Sequence, residues 1–251
     1  MKTPAPALED GFADIVGKAR RGLGLPNAPL PKSDEEIHAL AAELRLKPEA
    51  LLASSHGSWR PAPIPPVPGL HAFSTPFGGM DVNSYAVVDP ATGKAAAFDT
   101  GSDCSDLLAL GLPIEKIFLT HIHGDHIFDL DRLIEKTGAE AFANSFEPLA
   151  GTTPFHAPAE FEVGNLRIRA IPTPGHARGG TAYFCTGLQR AVAFTGDALF
   201  AGSMGGAGSH WNEALQSLRE KILSLPDETI LCPGHGPATT VAEEKLHNPF
   251  A

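Results

Sequence analysis

Residues 121–126 place three imidazoles and one carboxylate in the order H-x-H-x-D-H. The run directly follows Lys116-Ile117-Phe118-Leu119, which reads as a buried strand. A strand that ends in such a cluster delivers its ligands to one edge of a sheet. Imidazole nitrogen combined with carboxylate oxygen suits zinc, iron or manganese, whereas calcium or magnesium would call for mostly oxygen donors.

Three further residues repeat this local pattern, in which a strand end passes one ligand type into a glycine-rich loop. They are His176 after Thr173-Pro174-Gly175, Asp197 after Phe194-Thr195-Gly196, and His235 between Gly234 and Gly236. Singly, each is weak evidence, since a lone histidine after Pro-Gly is a turn residue more often than a ligand. Together with the 121–126 run they supply five histidines and two aspartates, enough for two metals with three terminal ligands each and one bridging carboxylate. Asp99, in Phe98-Asp99-Thr100-Gly101, also ends a strand beside the histidine run, and it reads equally as a turn residue or as a partner that orients the metal loop.

The elements that must position these groups follow from periodicity and punctuation. Residues 1–32 carry several prolines and glycines and are expected to be irregular, a loose wrap. Ser33 with Glu36 forms a capping box, and Ile37, Leu40, Ala41 and Leu44 recur at helical spacing. Pro48 opens a second short helix that runs through Leu52. The proline-rich stretch 61–69 is a stiff connector between an extension, 1–60, and a catalytic domain, 70–251. Short strands follow over 70–73, 84–88, 95–98 and 117–120, with a hairpin turn at 89–93. A helix marked by Leu130, Leu133 and Ile134 stops at Gly138. Strands resume over 140–143, 161–163, 166–171, 181–185 and 191–195. An apolar stripe from Trp211 to Leu225 is a core helix ended by Pro226, a last strand covers 229–232, and Thr240 with Glu243 caps a closing helix.

Composition narrows the function classes. The chain has 251 residues, 43% of them hydrophobic and 19% charged, the balance of an ordinary soluble domain. It shows no stretch of about 18 apolar residues and no secretory leader, so a cytoplasmic protein without a membrane partner is expected. A net charge of −10 argues against a nucleic-acid partner. Three scattered cysteines form neither a disulfide framework nor a thiolate metal site. The short helices of the extension lack a basic face and suit a structural or homo-oligomer contact.

With these motifs together, the chain resembles the metallo-β-lactamase superfamily, and within it the single-domain hydrolases similar to glyoxalase II (hydroxyacylglutathione hydrolase), over roughly residues 70–251. The resemblance implies an α+β fold, a four-layer αβ/βα sandwich, here preceded by a helical N-terminal extension. It implies a first metal on His121, His123 and His176, a second on Asp125, His126 and His235, and Asp197 bridging the two. Two divalent ions, zinc first and iron or manganese next, would yield a bridging hydroxide near neutral pH. Asp125 and Asp197 are then the catalytic carboxylates, and Asp125 doubles as a proton acceptor. The substrate is expected to be a small molecule, a thioester or small ester.

Departures from that pattern bear on the substrate. Ile127 is followed by Phe128-Asp129 where many relatives carry glycines, which narrows the entrance or adds a carboxylate. After Asp197 the chain has Gly206-Ala207-Gly208 where glyoxalase II has a Lys or Arg that contacts glutathione. Tyr183 matches a tyrosine that touches glutathione in those enzymes, although a strand tyrosine packs in the core at least as often as it binds ligand, and Arg178, which reads equally as a solvated loop charge, and His210 are further candidate substrate contacts. The chain ends at Ala251, as in the short relatives that do not carry a helical C-terminal domain. Competing readings are a mononuclear iron persulfide dioxygenase using His121, His176 and Asp197, a lactone or β-lactam hydrolase, and a binding or scaffold protein stabilised by metal.

Overall fold

The computed structural model describes residues 7–251. The parts of the expectations that fall on residues 1–6 lie outside them.

Two six-stranded sheets face each other. The first holds β1 (Leu70–Phe77), β2 (Met80–Val88), β3 (Ala95–Phe98), β4 (Ile114–Phe118), β5 (Glu140–Asn144) and β6 (Thr153–Phe155), in that spatial order. The second holds β7 (Ala159–Val163), β8 (Leu166–Pro172), β9 (Thr181–Thr186), β10 (Val192–Gly196), β11 (Ile230–Pro233) and β12 (Thr239–Thr240), laid out from β12 at one edge to β7 at the other. Alternation decides which side chain enters which layer. Ala96, Phe98 and Phe118 point between the sheets and meet Tyr183 and Phe194 there, with the Phe98 and Phe194 rings stacked at 3.7 Å. Ala95, Ala97 and Ile117 point the other way, onto α4 (Ser105–Ala109) and α6 (Leu130–Thr137).

The outer face of the second sheet is covered by α7 (Trp211–Gln216), a π-helical continuation over Ser217–Ile222, α8 (Val241–His247), and three helices from the start of the chain. The result is the four-layer sandwich with N-terminal helices ahead of it. Several strands run longer than the sequence pattern suggests, and β6, α4 and a 3-10 turn at Gly208–His210 carried too few residues to register as periodic.

The expectation of an irregular start is corrected by α1 (Phe12–Gly22), whose Ile15, Val16 and Ala19 are buried. Glycines at 11, 17 and 22 hid it, because each lowers helix propensity and masks the period. Packing overrides propensity. A Cβ on Gly22 would lie inside the Trp211 indole, so the glycine is what lets α1 approach that ring. Behind it, α2 (Asp34–Leu44) begins with the capping box of Ser33 and Glu36, and α3 (Pro48–His56) runs a turn past Leu52. Their apolar residues share one cluster with Leu199, Trp211, Leu218 and Phe250. The connector has no regular structure, and it too is tied down, since Ala62 N–H donates to Glu243 at 2.8 Å, while just ahead of it Trp59 stacks on His247 at 4.9 Å.

Glu244 of α8 is fully buried and accepts from Gly202 N–H (3.0 Å), Asn248 Nδ2 (2.8 Å) and Thr239 Oγ1 (2.9 Å). Burial pushes its carboxyl up to about 7 against the pull of those three donors. With the folded value above the unfolded one, its contribution to stability is full below about 4.5 and is lost as pH rises through about 7. Glu244→Gln should therefore flatten the difference between unfolding midpoints at pH 5 and pH 8, and equal slopes in the two proteins would refute the assignment. Gly22→Leu should cost about 1–3 kcal/mol by overpacking, read as a lower calorimetric midpoint. An unchanged midpoint would mean that α1 lies outside the cooperative unit.

Candidate metal centre

The chain direction of a few strands gathers the ligands. β3 and β4 are parallel neighbours, and β8, β10 and β11 share one direction because β9 is antiparallel to both β8 and β10. Their C-terminal ends lead into Asp99, His121, His176, Asp197 and His235 respectively, so within each sheet these side chains emerge on a common edge. A register shift between Phe194 and Gly196, with Gly196 at φ 49°, brings the backbone ahead of Asp197 against Thr120.

Side-chain nitrogens and oxygens converge there in overlapping groups: His121 with His123 and His176, His121 with His126 and Asp197, and Asp125 with His126 and His235. His123 Nδ1 lies 3.0 Å from His121 Nε2 and 2.9 Å from His176 Nε2. Asp197 stands between the groups, with Oδ2 3.3 Å from His176 Nε2 and Oδ1 3.3 Å from His126 Nε2 and 3.6 Å from His235 Nε2. Asp125 Oδ2 is 3.2 Å from His235 Nε2.

The other ring nitrogens are committed to the protein, and this sets the tautomers. His126 Nδ1–H donates to Asp99 Oδ2 (2.8 Å), His176 Nδ1–H to the Gly206 carbonyl (2.9 Å), and His235 Nδ1–H to the Asp81 carbonyl (2.7 Å). Asp99 also accepts from Thr120 N–H and Thr120 Oγ1–H, both at 2.8 Å. The Thr120 hydroxyl proton is thereby used, and its oxygen accepts from His121 Nδ1–H at 3.1 Å. Each of these four rings turns its Nε2 toward the cluster and, when neutral, carries no proton there, the form that binds a metal.

Electrostatics agree with a cation at this point. Burial opposes ionisation of Asp197, but the positive charge drawn to His126, 3.3 Å away, holds its carboxyl far below the usual range. Asp125 is buried in part, yet the His235 hydrogen bond and the His126 charge hold it at about 2. Burial and neighbouring imidazoles push His121 and His176 down, which favours neutral rings. His126 is buried as well, but Asp99 and Asp197 outweigh that and draw positive charge to it. His126 Nε2 and Asp197 Oδ1 are buried without a hydrogen-bond partner. A divalent cation satisfies both atoms at once, and the three overlapping groups of donors fit a pair of such ions. The buried Cys104 and Cys185 thiols, pushed up to about 12 by burial, are not nucleophiles at neutral pH.

Other candidates fall elsewhere. Tyr183 is corrected from a substrate contact to a core residue: it is fully buried between the sheets, and its hydroxyl donates to the Leu119 carbonyl at 2.8 Å. Tyr85 does the same for Pro233 at 2.8 Å, so two buried phenols brace the segments that lead to His121 and His235. Arg178 is exposed, with its guanidinium 5.8 Å over the Phe146 ring, and His210 is exposed and 3.0 Å from Glu213. Asp129 accepts from Cys104 N–H and Arg132 and is spent on the α4–α6 surface, whereas Phe128 is exposed and meets Phe77 at 5.7 Å. Thr120, Tyr85 and the Asp81 and Gly206 carbonyls were missed, since supporting hydrogen bonds of this kind leave no spacing signal.

Two substitutions test this support. Asp99→Asn replaces an acceptor oxygen by an amide donor that faces Thr120 O–H or His126 N–H. It should lower metal affinity by about 10- to 100-fold with the fold retained, measured by competitive chelation. Affinity equal to that of the unsubstituted chain would show that Asp99 does not orient the ligands. Gly234→Ala would drive a methyl onto Asp197 Oδ1 and the His126 ring, and should reduce the metal retained after dialysis.

Comparison with known proteins places this geometry. Residues 77–235 match the family model described as the metallo-beta-lactamase superfamily. The probable metallo-hydrolase YqgX of Bacillus subtilis is 30% identical over 70% of this chain and 94% of its own. Hydroxyacylglutathione hydrolase GloC of Haemophilus influenzae is 28% identical over 62% of this chain and 87% of its own. The crystal structure of the BLEG-1 B3 metallo-beta-lactamase superposes with a TM-score of 0.62 at 30% identity, over 72% of this chain and 99% of that one. A histidine and aspartate cluster at the sheet edge of a four-layer sandwich, with a family match over most of that sandwich, makes this chain a metallo-hydrolase of the metallo-β-lactamase superfamily.

Proposed function

We propose that the chain is a dinuclear hydrolase of small thioesters or esters. The observation that carries this is Asp197, whose two carboxylate oxygens face opposite groups, His176 on one side and His126 with His235 on the other. His121, His123 and His176 would hold one ion, Asp125, His126 and His235 the other, with zinc the first choice and iron or manganese accepted by the same donors. When bound, such a pair supplies hydroxide near neutral pH and polarises a carbonyl.

The protein's own part is positioning. Asp99 and Thr120 hold His121 and His126 in the required tautomers, and the Asp81 and Gly206 carbonyls do so for His235 and His176. Asp125, held at about 2, serves as a ligand first and takes up a proton only transiently. The thioester class is supported by the likeness to GloC, and the exposed Gly206 and buried Tyr183 argue for a carrier other than glutathione.

The test is metal analysis of the purified chain combined with a panel of acyl thioesters, a lactone and a β-lactam. Two equivalents of metal and thioester turnover are expected. His121→Ala should reduce turnover by more than the roughly 100-fold that loss of a supporting residue costs. Binding of two metals with cleavage of the β-lactam or lactone alone would move the substrate class and leave the reaction intact.

A further inference from the structure

The segment just ahead of α1 lies against the metal centre. Asp10 is buried and hydrogen-bonded to Lys18 and to Ser203 Oγ, and Lys18 Nζ also donates to the Met204 carbonyl at 2.9 Å. Ser203 and Met204 belong to the loop that follows Asp197. One residue earlier, the Glu9 backbone sits on Gly236, where a Cβ would stand 3.2 Å from Glu9 N. Gly236 directly follows the ligand His235, and the Glu9 carboxyl feels the charges of both His235 and Asp197.

Between this segment, the β1–β2 hairpin and the 236–238 loop lies a cavity of about 630 Å³, within the usual range for a small-molecule site. Its described lining carries two charges, the carboxylates of Glu9 and Asp81, amid apolar side chains such as Met80, Phe73 and Pro237. Among the described residues, Lys18 acts on the Glu9 carboxyl but is committed to Asp10 and Met204. An anionic group that enters meets like charge at Glu9 and Asp81, whereas a cationic or neutral group does not.

We propose that residues 7–9 form a wall of the substrate pocket and that Glu9 determines specificity, admitting neutral or cationic ester and thioester carriers and disfavouring anionic ones. This rests on the hydrolase reading for the reaction and on the cavity for the selection. It agrees with the loss of a cation at Gly206, since glutathione brings two carboxylates that nothing described in this pocket neutralises.

The experiment is titration calorimetry of the full metal-loaded chain with S-methylglutathione and with S-methylthiocholine, an anionic and a cationic thioether that cannot be hydrolysed. Tighter binding of the thiocholine ether is expected. Glu9→Gln should shrink that preference by about fivefold at low salt, Glu9→Lys should shrink it further, and Glu9→Asp should keep it. High salt should narrow the gap between Glu9 and its Gln variant. The same preference in the Gln variant, or tighter binding of the glutathione ether by the unsubstituted chain, overturns the proposal. Thioester turnover, assayed separately, bears on the reaction class alone, so the two readings fail independently.

Discussion

A carboxylate has two acceptor oxygens and no proton to give, and Asp99 uses both. It takes the backbone N–H and hydroxyl proton of Thr120 and the Nδ1 proton of His126. Because the Thr120 proton is taken, the remaining lone pair can only accept, and His121 must present Nε2 to the cluster. One side chain thus sets the protonation pattern of one histidine in each ligand group. The site accepts backbone strain to hold it there, since Asp99 is a non-glycine residue at φ 55°.

The rest of the fold can be understood as the frame that keeps this carboxylate and its partners in place. Aromatic packing of Phe98, Phe118, Phe194 and Tyr183 joins the two sheets close to their ligand-bearing ends. Tyr85 and Tyr183 bury their rings in that layer and pin the Pro233 and Leu119 carbonyls with their hydroxyls. Thr181 N–H donates to the Thr120 carbonyl at 2.8 Å, a direct bond from the second sheet to the residue that Asp99 orients. A buried polar group left without a partner costs more than a satisfied one returns. The exceptions left at His126 Nε2 and Asp197 Oδ1 therefore mark where function takes precedence over stability.

Around this centre the chain has added material of its own. Residues ahead of β1 supply three helices that complete the outer layer on the second sheet, and the clamp of Asp10, Lys18 and Ser203 carries their leading end to the site. Glu244 ties α8 to the same 200–203 loop from the opposite side. Stability of the outer layer and shape of the pocket are consequently coupled through one short loop that begins at Asp197.

The candidate ligands were legible in the amino-acid sequence because a metal site needs donor atoms that few side chains supply, and here His and Asp supply them just past strand ends. Residues 121–126 carry four of those groups within a single loop, and Pro-Gly-His and Gly-Asp punctuation marked the others. Helices α2 and α6 were legible through their caps and apolar spacing. What a side chain touches across 25 or more residues was not legible. Tyr183 looked like a ligand contact and is a core pillar, Asp129 looked free to join the site and is spent elsewhere, and α1 was hidden by glycines that Trp211 requires. Glu9 carried no motif at all. Local chemistry and periodicity are written along the chain, but burial, tautomer and pocket charge depend on which distant segments pack together, and only the tertiary structure decides that.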